Sequence, residues 1–367
     1  MNSRVSGQCS YTILPALVMK TCSKLSELTL TKCISVHLFR ISFVLILWML
    51  IWLLQVITWS KDINFQPPIP GLQQCEYSNT RNQSKFTMLS VSSEDSRLTI
   101  FTPSEEDDFT SKSQCVPLMC LRKSSPICVY DPKTTDIYVS KDIVKTGCYE
   151  RPTVRAFIEV METDPTFVLL DLGCNIGAFT ITAAAHGFTV VGMDPVQRNL
   201  QLLTKSLCLG RLQQNVTLLW NAVSDIRGTA YYKVNKGNVG GTNVRISNQK
   251  SREIDMDHTA EAILLNDLME LKVFDSRPVF IKMDIEGSEY RALFGGRRFL
   301  SAVDVRYLLM EWRFYRTKTW AKSLIPFLEK LHFEPYSGDD FRKRLNPRVS
   351  ATWPDNVLWK RIRLTRV

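Results

Sequence analysis

The chain has 367 residues, 45% of them hydrophobic and 22% charged, with a formal net charge of +10. That composition excludes a disordered or low-complexity protein, and the length allows one large domain core with additional parts. The basic surplus comes late, with 17 Lys and Arg against 8 Asp and Glu from Gly287 onward. It reads either as a solvated basic surface or as attraction to an anionic partner such as an acidic glycan or lipid head group. Zinc-finger spacing, an RNP-type aromatic pattern and basic-helix repeats are all missing, so nucleic acid is not an expected partner.

Residues 1–40 read as a cytosolic tail without strong patterning. From Ile41 to Trp59 (ISFVLILWMLIWLLQVITW) no residue is charged, and crossing the hydrocarbon core takes roughly 20 apolar residues. Residues 41–60 are therefore expected to form a transmembrane signal-anchor, with Trp59 at the interface. A cleaved signal peptide fits badly, because its apolar stretch is shorter and follows a short basic leader. Arg4, Lys20, Lys24, Lys32 and Arg40 precede the run against the single Glu27, whereas Lys61 and Asp62 cancel after it. Basic flanks stay in the cytosol, so the expectation is a single-pass type II membrane protein. Its bulk would lie in the Golgi or ER lumen or outside the cell. Sequons at Asn82 and Asn215 agree with that compartment.

Residues 61–113 are rich in Ser, Thr, Pro and acids (QPPIPG, SVSSEDS, TPSEEDD) and read as a flexible stem. Residues 114–152 form a Cys-rich lead-in. Cys75, Cys115, Cys120, Cys128 and Cys148 suggest disulfides whose pairing stays open, one of the five being free or paired elsewhere. Cys174 and Cys208 fall inside the expected core and read as small buried hydrophobes. From residue 153 to 367 strand and helix patterns alternate. FVLL (167–170), FTVVGM (188–193), VTLLW (216–220), VFIKM (279–283) and VRYLLM (305–310) are apolar strands. AFTITAAAH reads as a helix stopped at Gly187, and Asp194-Pro195 as the opening of another that ends at Gly210. Residues 226–233 read as a turn and strand, residues 235–243 (NKGNVGGTN) as a Gly/Asn-rich loop, and a hairpin-like pair closes the chain around Phe333 and 357–362. This alternation predicts an α/β fold, an open parallel sheet with helices on both faces.

Ligands of such sheets sit beyond the carboxyl ends of the strands, where strand order reverses. The first strand ends in Asp171-Leu172-Gly173-Cys174-Asn175-Ile176-Gly177, a tight turn into a helix. The second ends at Asp194, about 20 residues on, where a ribose-binding carboxylate belongs. A dinucleotide site wants a second glycine where Asn175 stands, to admit the pyrophosphate. The turn therefore favours a phosphate-free adenosyl cofactor. Asp284, at the tip of the strand VFIKM, is the first choice for a general base or acceptor-orienting group, with Glu286 second and Glu311 a third carboxylate. The alternative for these acids is helix capping or pairing with Lys282 and nearby arginines. Two acids do not define a metal site, so no metal is expected at Asp284 and Glu286. His258 and His332 read as surface residues.

DIYVSKDIVKTGCYE (136–150), LLDLGCNIGAFT (169–180), VVGMDP (190–195), NAVSD (221–225), NVGGTN (238–243) and IKMDIEGSE (281–289) together resemble the FkbM family of methyltransferases. The likeness runs from about Asp136 to the last strand and leaves out the anchor and stem. Asp194 stands where the family frequently has glutamate, which preserves the carboxylate. The resemblance implies a Rossmann-like, seven-stranded class I methyltransferase sheet and S-adenosyl-L-methionine as cofactor. It also implies O-methylation of a hydroxyl on a small molecule or glycan, an acceptor that the basic surplus leaves open to being anionic. By the same resemblance Asp171, Gly173, Asn175 and Gly177 line the methionine end of the cofactor. Asp194 takes the ribose, Asn221, Ala222 and Val223 lie near the adenine, and Glu150 closes over the cofactor. Two other readings remain: a non-catalytic lumenal binding protein on a methyltransferase scaffold, and a nucleotide-dependent oxidoreductase.

Overall fold

A computed structural model describes residues 97–102, 113–247, 258–318 and 323–362. The expected anchor at 41–60, the cytosolic tail, Cys75 and Asn82 lie outside them. Among the described residues, no helix is long and apolar enough to cross a membrane.

The core is a seven-stranded sheet. Its strands are β3 (Val168–Leu172), β4 (Thr189–Met193), β5 (Val216–Leu219), β10 (Val279–Met283), β11 (Val305–Glu311), β12 (Phe333–Ser337) and β13 (Asn356–Arg361), in the order β12-β13-β11-β10-β3-β4-β5. β5, β4, β3, β10 and β11 run parallel to one another, and β13 runs antiparallel between β11 and β12. Every residue of β3 and β10 is buried, which explains why these strands read as unbroken apolar runs. Alternate residues serve opposite faces. Val168, Leu170, Val279 and Ile281 join one apolar cluster with α5 (Glu289–Gly295), α6 (Arg297–Ala302) and α7 (Leu324–Lys330). Leu169 and Phe280 join the other, with α2 (Arg151–Met161), α3 (Ala178–Ala185) and α4 (Gln197–Gly210).

Chain order grows from β3 to β5 and then returns to β10 beside β3, so the order reverses between β3 and β10. Between β5 and β10 the chain builds a second sheet that the sequence reading did not anticipate. It comprises β6 (Asn221–Ser224), β7 (Gly228–Tyr232), β8 (Val244–Ser247) and β9 (His258–Leu264), in the order β6-β9-β7-β8. Ala222, Ala230, Tyr232, Val239 and Ala262 give it a small core of its own.

The lead-in is also ordered. β1 (Gln114–Leu118) and β2 (Ser125–Val129) pair antiparallel, and Cys115 faces Cys128 across the pair and is bonded to it. Cys120 is joined to Cys148 just beyond α1 (Val139–Thr146). Leu118, Ile127, Val129 and Ile143 belong to the same apolar cluster as α2, α3 and α4.

Three local expectations are corrected. Residues 97–102, assigned by composition to the stem, pack along β5. The Phe101 N–H donates to the Leu218 carbonyl (2.9 Å), that of Trp220 to Thr99 (2.8 Å), and Leu98 and Phe101 are buried. The apolar residues of RLTIF outweigh the polar stretch around them and cover a strand edge that would otherwise be open. Cys208 is disulfide-bonded rather than a free buried thiol, while Cys174 is free and buried. Helix α4 ends at Gly210 as expected but starts two residues after Pro195, and it closes on a left-handed Arg211 (φ 56°). A Cβ on Gly210 would stand 2.3 Å from Ser125 Oγ, so α4 and β2 approach closely there.

Candidate active site

The turn after β3 is built by close approach. Gly173 has φ +76°, and a Cβ on it would meet the Asp284 carbonyl oxygen at 1.9 Å, so the ends of β3 and β10 touch there without side chains between them. The Asp284 N–H donates back to the Leu172 carbonyl at 3.0 Å. Gly177, at φ +95°, lets α3 pack on α4, where a Cβ would strike Leu203 at 2.2 Å. Asn175 adopts φ 50°, a conformation that Asn tolerates better than most residues.

Asp194 locks this turn. Its Oδ2 accepts the Asn175 N–H at 2.9 Å, and its Oδ1 accepts the Val196 N–H at 2.9 Å and the Asn199 side-chain amide at 3.0 Å. Tyr130 in turn donates to Asn199 Oδ1 at 2.8 Å. Burial pushes the Asp194 carboxyl up to about 6 against these hydrogen bonds. A carboxylate offers about four acceptor positions, so three internal bonds leave room for about one ligand hydroxyl.

Beneath the turn lies a buried ionic core. Lys282 donates to the Gly173 carbonyl at 2.9 Å and stands 3.5 Å from both Asp171 Oδ1 and Asp284 Oδ2. Burial opposes its charge, but Asp171, Asp284 and Glu150 together hold the ammonium above its ordinary range. Asp171 is completely buried and accepts a 2.7 Å bond from Thr180 Oγ1. It serves the turn from below and does not line the cavity. The expected place of Asp171 at the methionine end of a ligand therefore becomes support one layer down, because β3 pairs it in register with Lys282.

A cavity of about 300 Å³ opens above the turn, at the small end of the range for ligand sites. Gly173, Asn175, Gly177, Asp194, Ala222, Val223, Asp284 and Glu286 all line it, so residues predicted from separate parts of the chain converge on one space. Asn221 also borders it, but its side chain is spent on the Thr99 N–H and the carbonyls of Arg97 and Glu261. Glu150 stands to one side, a left-handed residue (φ 47°) whose carboxylate accepts from Asn356 at 3.4 Å. Burial and then Asp284 raise it to about 7. Its neighbour Tyr149 faces the cavity in its place.

The opposite wall belongs to the Gly/Asn-rich loop and the second sheet, through Asn238, Val239, Gly240, Val244 and Ile246. Gly240 lies so close to the turn that a Cβ would stand 2.8 Å from Asn175 Nδ2.

Beside the turn, at the ends of β10 and β11, Asp284, Glu286 and Glu311 bring their carboxylate oxygens within 4.8 Å of one another. Arg313 pairs with Glu311 Oε1 at 2.6 Å and with Glu286 Oε2 at 3.2 Å. The expected alternative, pairing with Lys282 and a nearby arginine, thus coexists with placement at the cavity. Burial first, then Asp284 and Glu286, push Glu311 up to about 9. Glu289 was missed as a site residue. It is completely buried, accepts the N–H groups of Ile285 (3.0 Å) and Gly287 (3.4 Å) and a 2.5 Å bond from Tyr315, and so shapes the loop that carries Glu286 at φ 55°. The signal was present: a glutamate three residues beyond another, at the start of an apolar helix. His258 and His332 are both exposed, and neither lines the cavity.

Residues 171–342 match the family model described as Methyltransferase FkbM domain. Among curated proteins none matches the chain.

Proposed function

Residues 171–342 match the FkbM methyltransferase domain, and on that premise we propose an FkbM-type, S-adenosylmethionine-dependent enzyme that methylates a hydroxyl on a glycan or another secretory-pathway molecule. One observation carries this reading: the Gly173–Gly177 turn and Asp284 meet at the edge of the sheet where strand order reverses. The donor set fits the cofactor, because carboxylates on the cavity wall suit a sulfonium and would repel a pyrophosphate.

When bound, the cofactor supplies an activated methyl group for in-line displacement. The turn amides receive the methionine end, as helix-start N–H groups receive carboxylates. Asp194 orients a ribose hydroxyl, and Ala222 and Val223 pack beside the adenine. Asp284 Oδ2 faces Lys282, which leaves Oδ1 as the atom that takes the acceptor's proton. The loop around Gly240 keeps water from the reacting atoms. The anchor and orientation read from the sequence put this chemistry in the lumen of the secretory pathway or outside the cell.

Calorimetry on the full-length chain in detergent tests the cofactor, with heat expected from S-adenosylmethionine and none from NAD. Transfer of a labelled methyl group to a panel of glycans then tests the acceptor class. The absence of binding by S-adenosylmethionine and by its demethylated product would remove the enzymatic reading. A tag at Val367 should resist protease in sealed microsomes, and its digestion would reverse the orientation.

A further inference from the structure

The acceptor end of the cavity carries more negative charge than its neighbours neutralise. Arg313 is divided between Glu286 and Glu311, and Lys282 between Asp284 and Asp171. Glu311 is only 7% exposed, and its Oε2 is buried without a hydrogen-bond partner. The other titratable groups that interact with this cluster are acids as well: Tyr149 and Glu150 before α2, and Glu289 on α5. Burial raises Glu150, Glu286 and Glu311, and Asp284 adds to each. Such a set is short of positive charge, and a cation entering beside it stabilises the ionised carboxylates and drives their protons off.

We propose that the Asp284–Glu286–Glu311 cluster makes the cavity charge-selective, holding the sulfonium form of an adenosyl cofactor more tightly than the neutral thioether left after transfer. The inference rests on the cofactor reading above and adds to it a means of product release. In the transfer the acceptor oxygen bonds to the methyl carbon as the carbon–sulfur bond breaks. Sulfur keeps the bonding pair and becomes neutral, and the acceptor's proton passes to Asp284. The ligand therefore loses the charge that held it at the moment the reaction is complete, and dissociation of the product is eased.

The test is calorimetry on the full-length chain in detergent, with S-adenosylmethionine and S-adenosylhomocysteine at pH 7, in two buffers of different ionisation enthalpy. The sulfonium should bind at least about tenfold more tightly than the thioether and release protons, whereas the thioether should release none. Glu286→Gln and Glu311→Gln should each weaken the sulfonium about five- to tenfold and leave the thioether unchanged, as expected for one charge removed several ångströms away. Equal or tighter thioether binding in the wild type, with a ratio that neither variant moves, overturns the proposal and leaves the cofactor reading standing. Failure of both ligands to bind overturns the cofactor reading itself. Where a variant does not fold, the wild-type ratio between pH 6 and 9 decides: it should climb, and a flat ratio counts against charge selectivity.

Discussion

Asp284 sits where two demands meet, since its backbone closes the glycine turn and its side chain faces the cavity. Asp284→Asn keeps the size and the backbone contact while removing the proton acceptor. Turnover should fall by about 10²–10⁴, while S-adenosylmethionine affinity falls by no more than about tenfold, and single-turnover transfer alongside calorimetry separates the two. Unchanged turnover would take Asp284 out of the mechanism. Asp194→Ala has the opposite profile. It frees the Asn175 N–H and the Val196 N–H at once, so cofactor affinity should drop about tenfold or more through the loosened turn. Gly173→Ala tests the geometry directly. With backbone 1.9 Å from the new Cβ and a positive φ, it should cost about 3 kcal/mol or more in urea unfolding. An unaffected midpoint would mean that the two strand ends do not meet as described.

At the level of elements, the disulfide lead-in is the part whose contribution is easiest to measure. The Cys120–Cys148 bond closes a loop with a sequence separation of 28 and ties the hairpin to the end of α1. The chain-entropy relation assigns such a loop about 3–4 kcal/mol. The double variant Cys120→Ser/Cys148→Ser should lower stability by that order in denaturant titration. Because Val139 lines the cavity and belongs to the same apolar cluster as α2 and α3, cofactor affinity should weaken too. Loss of stability without loss of affinity would show that the lead-in braces the core but not the site. The elements that sequence foretold best are the buried parallel strands and the glycine turn, because continuous apolar runs and a glycine-dependent backbone each leave a local imprint. The second sheet left little. Only β7 reads as a strand from sequence, within residues 226–233; β8 is four residues long, and the sheet's pairings depend on partners distant in the chain. Asp171, expected at the cavity wall, stands off it for a related reason. A motif fixes which residues are near a turn, but the register of β3 against β10 decides which side of it each carboxylate faces.

Across the whole molecule, the raised carboxyls give stability a pH dependence of definite sign. Asp194 is raised to about 6, Glu150 and Glu289 to about 7, and Glu311 to about 9, in each case chiefly by burial. Each folded value lies above the ordinary carboxylate range, so the folded protein binds more protons than the unfolded chain between the two. The stabilising effect of these neutral forms is complete below the unfolded values, near pH 4, and is lost as pH rises through 6, 7 and then 9. The ligand-free protein should therefore show a melting temperature that falls by several degrees from pH 5 to pH 9, followed by scanning calorimetry at constant ionic strength. A bound cation reverses the balance, because it favours the ionised carboxylates that the empty site penalises. Saturating S-adenosylmethionine should consequently raise the melting temperature more at pH 9 than at pH 6, while the neutral thioether should give an increment nearly independent of pH. A melting temperature that rises steadily to pH 9 without ligand would mean that these acids are ionised and compensated in the folded protein. The cluster at the acceptor end would then have no unmet charge to offer a sulfonium.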